Sequence, residues 1–478
     1  MISSKRPTPP PVQDRRVIML LILTGILMFV LDGSVVNIAL PSITRYFNSD
    51  MAQSQWVITS YLLTTTSLLM IFGKVSEYTG RIRLFLAGFV IFTLSSLACG
   101  LSTSLAMLVL FRGVQAVGAA MAFSISAAVI FEIYPPGEQG RAMGYIGTTV
   151  SIGSIAGPML GGYLVDFFGW QYIFLINLPI GIVLLAFAAR HMRIEETRSE
   201  YIQMDWIGAV FMILFVASLM LFLTELTNGL VFSTIAIALV CLASLLVFII
   251  NESRHRTPLL DLSICKEKKF VLPIISVTLL IISSFALFIL GPFYFQGVMG
   301  YTPSMVGTVF LIVPAIMTFG SPLGGWIYDK YHYKYNSAIG MLIVAASLTL
   351  AGYGTRRADL PAILVSFVLM GLGSALVQSP MNTEIMNALP RNLLGTASSF
   401  SSAVRYLGMA MGVSVSSTLL SVQLRMGGYN GSVLDARPDL LSATISNVLV
   451  IAAILCILGT FTAALRNAGA TDDKRVGS

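Results

Sequence analysis

The chain has 478 residues, 56% of them hydrophobic and only 11% charged, with a mean hydropathy of +0.84. A soluble domain is usually about 25% charged, so the composition excludes an ordinary soluble domain and points to an all-α membrane protein. The formal charge of +7 follows from the loop asymmetry described next, and no nucleic-acid partner is expected.

Residues 1–16, polar and carrying Pro7, Pro9, Pro10 and Pro11, predict a disordered cytoplasmic leader. Fourteen apolar runs follow, near 17–41, 55–72, 84–101, 105–130, 142–165, 171–189, 206–224, 230–250, 271–296, 304–327, 336–354, 361–383, 394–420 and 443–465. Each is long enough to cross a hydrocarbon core of roughly 30 Å as a helix. The first run is too long for a signal h-region and is expected to be retained.

Charged connections at 190–203 and 251–269 bracket the seventh and eighth runs. They divide the chain into a six-helix bundle at 17–189, a two-helix linker pair at 190–269, a second six-helix bundle at 270–465 and a cytoplasmic tail at 466–478. An internal repeat supports this division. Gly73, Glu77 and Gly80 follow the second run, Gly162, Asp166 and Gly169 follow the fifth with the same spacing, and Gly325 and Asp329 follow the tenth. Such placement fits a three-helix unit repeated with inverted topology and then duplicated, with pseudo-two-fold symmetry between the bundles.

An even number of spans puts both termini on one face. Of the 29 Lys and Arg, only Arg45, Arg356, Arg357, Arg425 and Arg437 fall on the opposite face and Arg112 and Arg405 inside predicted helices, which leaves 22 on the face of the termini. The positive-inside rule then puts both termini in the cytoplasm of a cell (plasma or inner) membrane.

Asp32 lies inside the first run, where a carboxylate costs roughly 2.5–3.5 kcal/mol on insertion scales. At about 1.5 Å per residue it sits about 22 Å from the cytoplasmic surface, and Arg112 on the descending fourth helix sits roughly 20 Å from that surface. The two can meet. Paired, each offsets part of the other's desolvation; parted, the carboxyl group favours its neutral form, which makes a two-state element that a proton and a substrate can both bias. A permanent structural ion pair is the other reading. Arg405, in the thirteenth helix, has three roles open: pairing with Asp32 across the bundles, binding backbone carbonyls, or attracting an anionic group.

In the fifth helix Gly153, Gly157 and Gly161, with Gly162 beside them, allow close helix approach, and Pro158 interrupts the backbone ladder. Ordinary helix packing accounts for these glycines whether or not the contact also gates access. Pro292, Pro314 and Pro322 predict kinks. Asn430-Gly431-Ser432 fits a glycosylation sequon. No ATP-binding loop is present, and His191, His255 and His332 all fall in connections. The four cysteines show no paired spacing. No cofactor, metal site or enzymatic activity is expected.

At these residues the chain resembles the major facilitator superfamily, specifically its fourteen-helix drug:proton antiporter family. The first-helix segment Leu31-Asp32 through Asn37-Ile38-Ala39-Leu40-Pro41, the run Gly153 to Gly162, the run Trp170 to Pro179, and Tyr294-Phe295-Gln296 carry the likeness. Glu77 and Tyr78 depart from the family's usual aspartate and basic residue, and Ala116 from its usual glycine. The resemblance implies two bundles about a central cavity with the seventh and eighth helices at the side. It also implies proton coupling at Asp32 and Arg112, and a cytoplasmic gate of Gly73, Glu77, Gly80, Arg81 and Glu132 in which Arg81 pairs with Glu132. Asn37, Gln115, Tyr294, Gln296 and Arg405 are candidates for a secondary polar or substrate site. The expected activity is export of lipophilic, cationic drugs or toxic compounds against protons by a monomer in the bilayer; the alternative is a carrier for a specific endogenous metabolite, lipid or peptide.

Overall fold

The structure is a computed structural model that describes residues 12–134, 139–192, 205–226, 231–255, 259, 262–331, 335–388, 394–429 and 431–468. Fourteen spans within it are long and apolar enough to cross a membrane, and no strand occurs among the described residues. α1 (Val12–Tyr46) leads to α2 (Met51–Ser54), α3 (Trp56–Thr79), α4 (Arg81–Gly100), α5 (Leu105–Ile133), α6 (Gln139–Phe167), α7 (Tyr172–Leu175) and α8 (Asn177–His191). α9 (Trp206–Glu225) and α10 (Phe232–Arg254) follow. Then come α11 (Lys268–Gly297), α12 (Pro303–Phe310), α13 (Ile312–Tyr331), α14 (Asn336–Arg357), α15 (Leu360–Asn387), α16 (Leu394–Met426) and α17 (Pro438–Ala468). Residues 1–11, 193–204, the sequon residue Asn430 and the tail after Ala468 lie outside the described residues; residues 12–16, expected as the end of a disordered leader, instead form the first turns of α1, and 466–468 close α17.

Local chemistry sets the helix ends. Asp50 and Gln53 form a capping box at α2, Ser104 accepts from the Met107 amide at α5, and Asp359 accepts from the Ala362 amide at α15; each side chain satisfies a donor the helix leaves open. Gly80 separates α3 from α4 at φ 95°, a conformation only glycine adopts without strain. The tenth predicted span is two helices, broken after Phe310. Pro314 has no amide hydrogen for the Phe310 carbonyl, so the ladder fails there. The sixth span is likewise divided, at Ile176. Pro158 does not divide its helix: α6 runs through it unbroken, held by close packing on both sides.

α1, α3, α4, α5, α6 and α8 pack as one bundle and α11 to α17 as the second, with α9 and α10 as a pair beside them. α9 seats on α3 and α16 where the bundles cross, and Thr418 Oγ1 donates to the Leu223 carbonyl at 2.8 Å. α10 turns Phe232, Leu239 and Leu242 outward, as a lipid-facing helix would.

The glycine run of α6 has two faces. A Cβ on Gly153 would lie 2.9 Å from Val30, one on Gly157 1.8 Å from the Ser34 hydroxyl, and one on Gly161 2.9 Å from Val35. That face therefore packs on α1. Asp32 is two residues from both Val30 and Ser34, about 200° around α1, so α6 fixes the acid toward α4, α5 and α8. Gly162 instead faces the other bundle, where its Cβ would lie 2.3 Å from the Pro303 carbonyl oxygen, and Gly307 reciprocates at 2.3 Å from that of Pro158.

Candidate functional site

The polar cluster forms where α1, α3, α4, α5 and α8 converge. Arg112 Nη1 donates to Asp32 Oδ2 at 2.6 Å, with Asp32 2% exposed and Arg112 1%. Asp32 Oδ1 accepts from Gln115 Nε2 at 3.1 Å and from Asn177 Nδ2 at 2.9 Å. Ser96 Oγ ties the two amides together, accepting from Gln115 at 2.5 Å and from Asn177 at 3.2 Å. Arg112 also donates from Nε to the Val57 carbonyl at 3.1 Å and from Nη1 to Gln115 Oε1 at 2.6 Å.

The guanidinium is clamped between rings, 4.2 Å from the Tyr61 centroid and 5.5 Å from that of Phe174, a favourable contact for a desolvated cation. Every group touching Asp32 is a donor. This is the arrangement a buried carboxylate needs, because an unpaired charge there would cost several kcal/mol. The cluster lies toward the end of the bundle opposite the face at which α1 begins and α17 ends, the terminal face. Val57 is the second residue of α3, Asn177 the first of α8, and Arg112 the eighth of α5.

The other predicted site residues divide. Gln115 belongs to the Asp32 cluster rather than to a separate substrate site. Gln296 Nε2 donates to the Ile38 carbonyl at 3.3 Å, joining α11 to α1 between bundles. Tyr294 is fully buried against Phe295, with ring centroids 5.6 Å apart, and among the described residues its hydroxyl has no hydrogen-bond partner; nor has Asn37 Oδ1. Among the described residues Arg405 neither pairs with Asp32 nor binds a backbone carbonyl. It donates to Asn382 Oδ1 at 3.0 Å and to Gln378 Oε1 at 3.5 Å. Of the gate residues, Gly73 has open space at its Cβ position, Gly80 makes the turn noted above, and Arg81 opens α4. Glu77 and Glu132 lie outside the residues whose side chains are described.

Sequence reasoning missed Tyr61, Ser96 and Asn177 as members of the cluster. Asn177 stood within the family-like run Trp170 to Pro179, where it was a lone amide in an apolar stretch. Gln378 and Asn382 were missed too, although their spacing of four places them on one helix face.

Contacts between the bundles are made by α1 with α11, α6 with α12, and α3 with α16. At the end away from the terminal face, Ser304 Oγ donates to the Asp166 carboxylate. A crevice of about 400 Å³ borders this junction, lined by Arg45, Tyr46, Asp166, Trp170, Gln296 and Pro303 among others.

Residues 22–413 match the family described as Major Facilitator Superfamily. The riboflavin transporter RibZ of Clostridioides difficile (strain 630) is 30% identical over 414 residues, 86% of this chain and 90% of that protein. The multidrug resistance protein Stp of Mycobacterium tuberculosis (strain ATCC 25618 / H37Rv) is 32% identical over 417 residues, 86% and 77% of the two chains. A crystal structure of a bacterial homologue of the human lysosomal transporter Spinster, inward-facing and unoccupied, superposes with a TM-score of 0.68 at 15% identity, covering 96% of this chain and 98% of that one.

Proposed function

Because the chain belongs to the Major Facilitator Superfamily, in its fourteen-helix arrangement, we propose that it exports lipophilic compounds in exchange for protons by alternating access. It is a transporter and not an enzyme. The observation that carries the proposal is the enclosed carboxylate of Asp32, served by three donors from α5 and α8 on the same helix that packs on α6 and reaches α11.

The termini face the cytoplasm of a cell membrane, since 22 of the 29 Lys and Arg fall on their side. The outer ends of the bundles are then the closed ones in this arrangement. A proton delivered to Asp32 removes the charge that Arg112, Gln115 and Asn177 all serve. Arg112 keeps the Val57 carbonyl and Gln115 Oε1 as acceptors, and these neutral partners offset part of the cost of its charge when the pair parts. α1 is then freed to shift, carrying with it Ser34 and Val35 against α6 and Ile38 against Gln296. A shift of that kind rocks one bundle against the other about a central cavity, and a monomer suffices for it.

The multidrug resistance protein Stp supports export of varied compounds. The riboflavin transporter, as similar over as much of the chain, favours a second reading in which one endogenous metabolite is carried by the same cycle.

Purified protein in liposomes with an enclosed pH-sensitive dye tests the proposal. Adding transported compounds should move protons in the wild type and not in Asp32→Asn. Proton movement that persists unchanged in the variant would remove Asp32 from coupling.

A further inference from the structure

Arg405 is a cation with only neutral partners. Its guanidinium meets the amide oxygens of Asn382 and Gln378, and among the described residues no carboxylate lies within salt-bridge distance of it. A charged side chain within a membrane span is costly and persists where it has a use; Arg405 belongs to the span 400–426. Arg112 is enclosed and neutralised, whereas Arg405 is only half-buried and Asn382 is exposed.

The faces of the helices put this group inside the protein rather than against lipid. On α16, Ser414 and Thr418 meet the peripheral α9. Arg405 is nine residues from Ser414, two and a half turns at about 3.6 residues per turn, hence on the opposite face. On α15, Gly373 packs against Gly340 and Val344 of α14, and Asn382 is again nine residues away. Tyr406, beside Arg405, meets Phe123 of the other bundle, with ring centroids 6.2 Å apart. Glu384 is two residues past Asn382, about 200° around α15.

The chemistry of the trio is one-sided. Accepting from Arg405 fixes both amides with their oxygens inward, and the amide nitrogens of Gln378 and Asn382 make no hydrogen bond among the described residues. A guanidinium carries five donors and no acceptor, and each amide nitrogen adds two more. The cluster therefore offers unused donors around a net positive charge, which complements a compact group of anionic oxygens.

We propose that Arg405, Gln378 and Asn382 form the polar anchor of the transport cavity and that the cargo is a lipophilic organic anion, its carboxylate, sulfonate or phosphate group held here and its apolar body in the cavity. This rests on the transport reading and departs from the cationic cargo that the family resemblance implies. Asp32, closed in by its own donors, offers nothing to a cation.

The test uses full-length protein in phosphatidylcholine liposomes without a pH gradient and three aromatic probes: 8-anilinonaphthalene-1-sulfonate, its uncharged counterpart N-phenyl-1-naphthylamine, and cationic ethidium. The sulfonate should bind above protein-free liposomes. Arg405→Gln should weaken that binding at least tenfold and change the uncharged probe less than twofold, while Arg405→Lys keeps most of it. Should Arg405→Gln fail to fold, Gln378→Leu with Asn382→Leu should weaken sulfonate binding threefold or more. Absence of sulfonate binding, equal losses for all probes, or preference for ethidium would overturn the anchor. Replacing a third of the lipid with phosphatidylglycerol separates cargo from headgroup: sulfonate binding displaced only when Arg405 is present would assign the site to lipid and overturn the cargo assignment. Loss of gradient-driven movement with sulfonate discrimination intact would sink proton exchange and leave the anchor standing.

Discussion

Gly162 of α6 lies so close to Pro303 at the start of α12 that a Cβ would sit 2.3 Å from the Pro303 carbonyl oxygen. Backbone meets backbone there, so no side-chain rotation can relieve an added methyl. Gly307 makes the reciprocal contact with Pro158, and Ser304 adds its hydrogen bond to Asp166. Gly162→Ala should therefore force the bundles apart at this end and favour the state open there. Spin labels at Phe167 and Met305, both exposed, should report a longer distance in the variant. An unchanged distance distribution would mean that the junction has slack the geometry does not show.

Asp32 and Arg112 should be strongly coupled in stability. Removing one partner leaves the other charge buried and costs about 3–5 kcal/mol, whereas removing both charges leaves neither stranded. Asp32→Asn and Arg112→Gln should each lower the unfolding temperature in detergent, and the double variant should recover at least half of the larger loss while remaining inactive in proton exchange. Additive losses in the double-variant cycle would show that the two groups do not depend on each other.

Asn177 is expected to matter despite carrying no charge. It is 2% exposed, and its side-chain nitrogen bridges Asp32 Oδ1 and Ser96 Oγ, so Asn177→Ala leaves a carboxylate oxygen with one donor in place of two. The cost should be about 1–3 kcal/mol, read as a lower unfolding temperature, with transport reduced in step. Ser96→Ala, which removes a neutral acceptor, should cost about 1 kcal/mol. A neutral outcome for Asn177→Ala would place the amide outside the functional cluster.

The Asp32 and Arg112 pair was legible in the sequence because two charges in apolar runs at matching depth have little choice but to meet. Depth fixes one coordinate only. It says nothing of azimuth, so it left Arg405 free to face Asp32, a carbonyl or a ligand, and the turn of α16 against α9 and α11 decides among them. Asn177 and Ser96 were illegible for a related reason. Single amides and hydroxyls are common in membrane helices, and only the convergence of α4 and α8 on α1 distinguishes these two. The break after Phe310 was half legible: Pro314 signalled a weak point, but its missing amide acts four residues earlier. Pro158 marked a gap in the backbone ladder, and α6 continues through it as one helix packed on α1 and α12.

The glycines of α6 allow packing to be separated from gating. A Cβ at Gly157 would lie 1.8 Å from Ser34 Oγ and 2.8 Å from Ser34 Cβ, whereas one at Gly33, a residue earlier on the facing helix, meets nothing within 4 Å. Gly157→Ala should therefore overpack the α1–α6 contact at about 1–3 kcal/mol, while Gly33→Ala should be neutral or slightly stabilising, since alanine favours a helix over glycine by up to about 1 kcal/mol. Ser34→Ala removes the nearer of the two clashing atoms and should restore part of the loss in Gly157→Ala. If the glycine serves packing alone, the restored variant transports in proportion to its stability. If the contact is also a bearing on which α1 moves, stability returns and turnover does not. Unfolding temperature and transport rate measured on the same four proteins distinguish these outcomes, and a Gly157→Ala protein as stable and active as the wild type would show that α1 and α6 are not in tight contact at all.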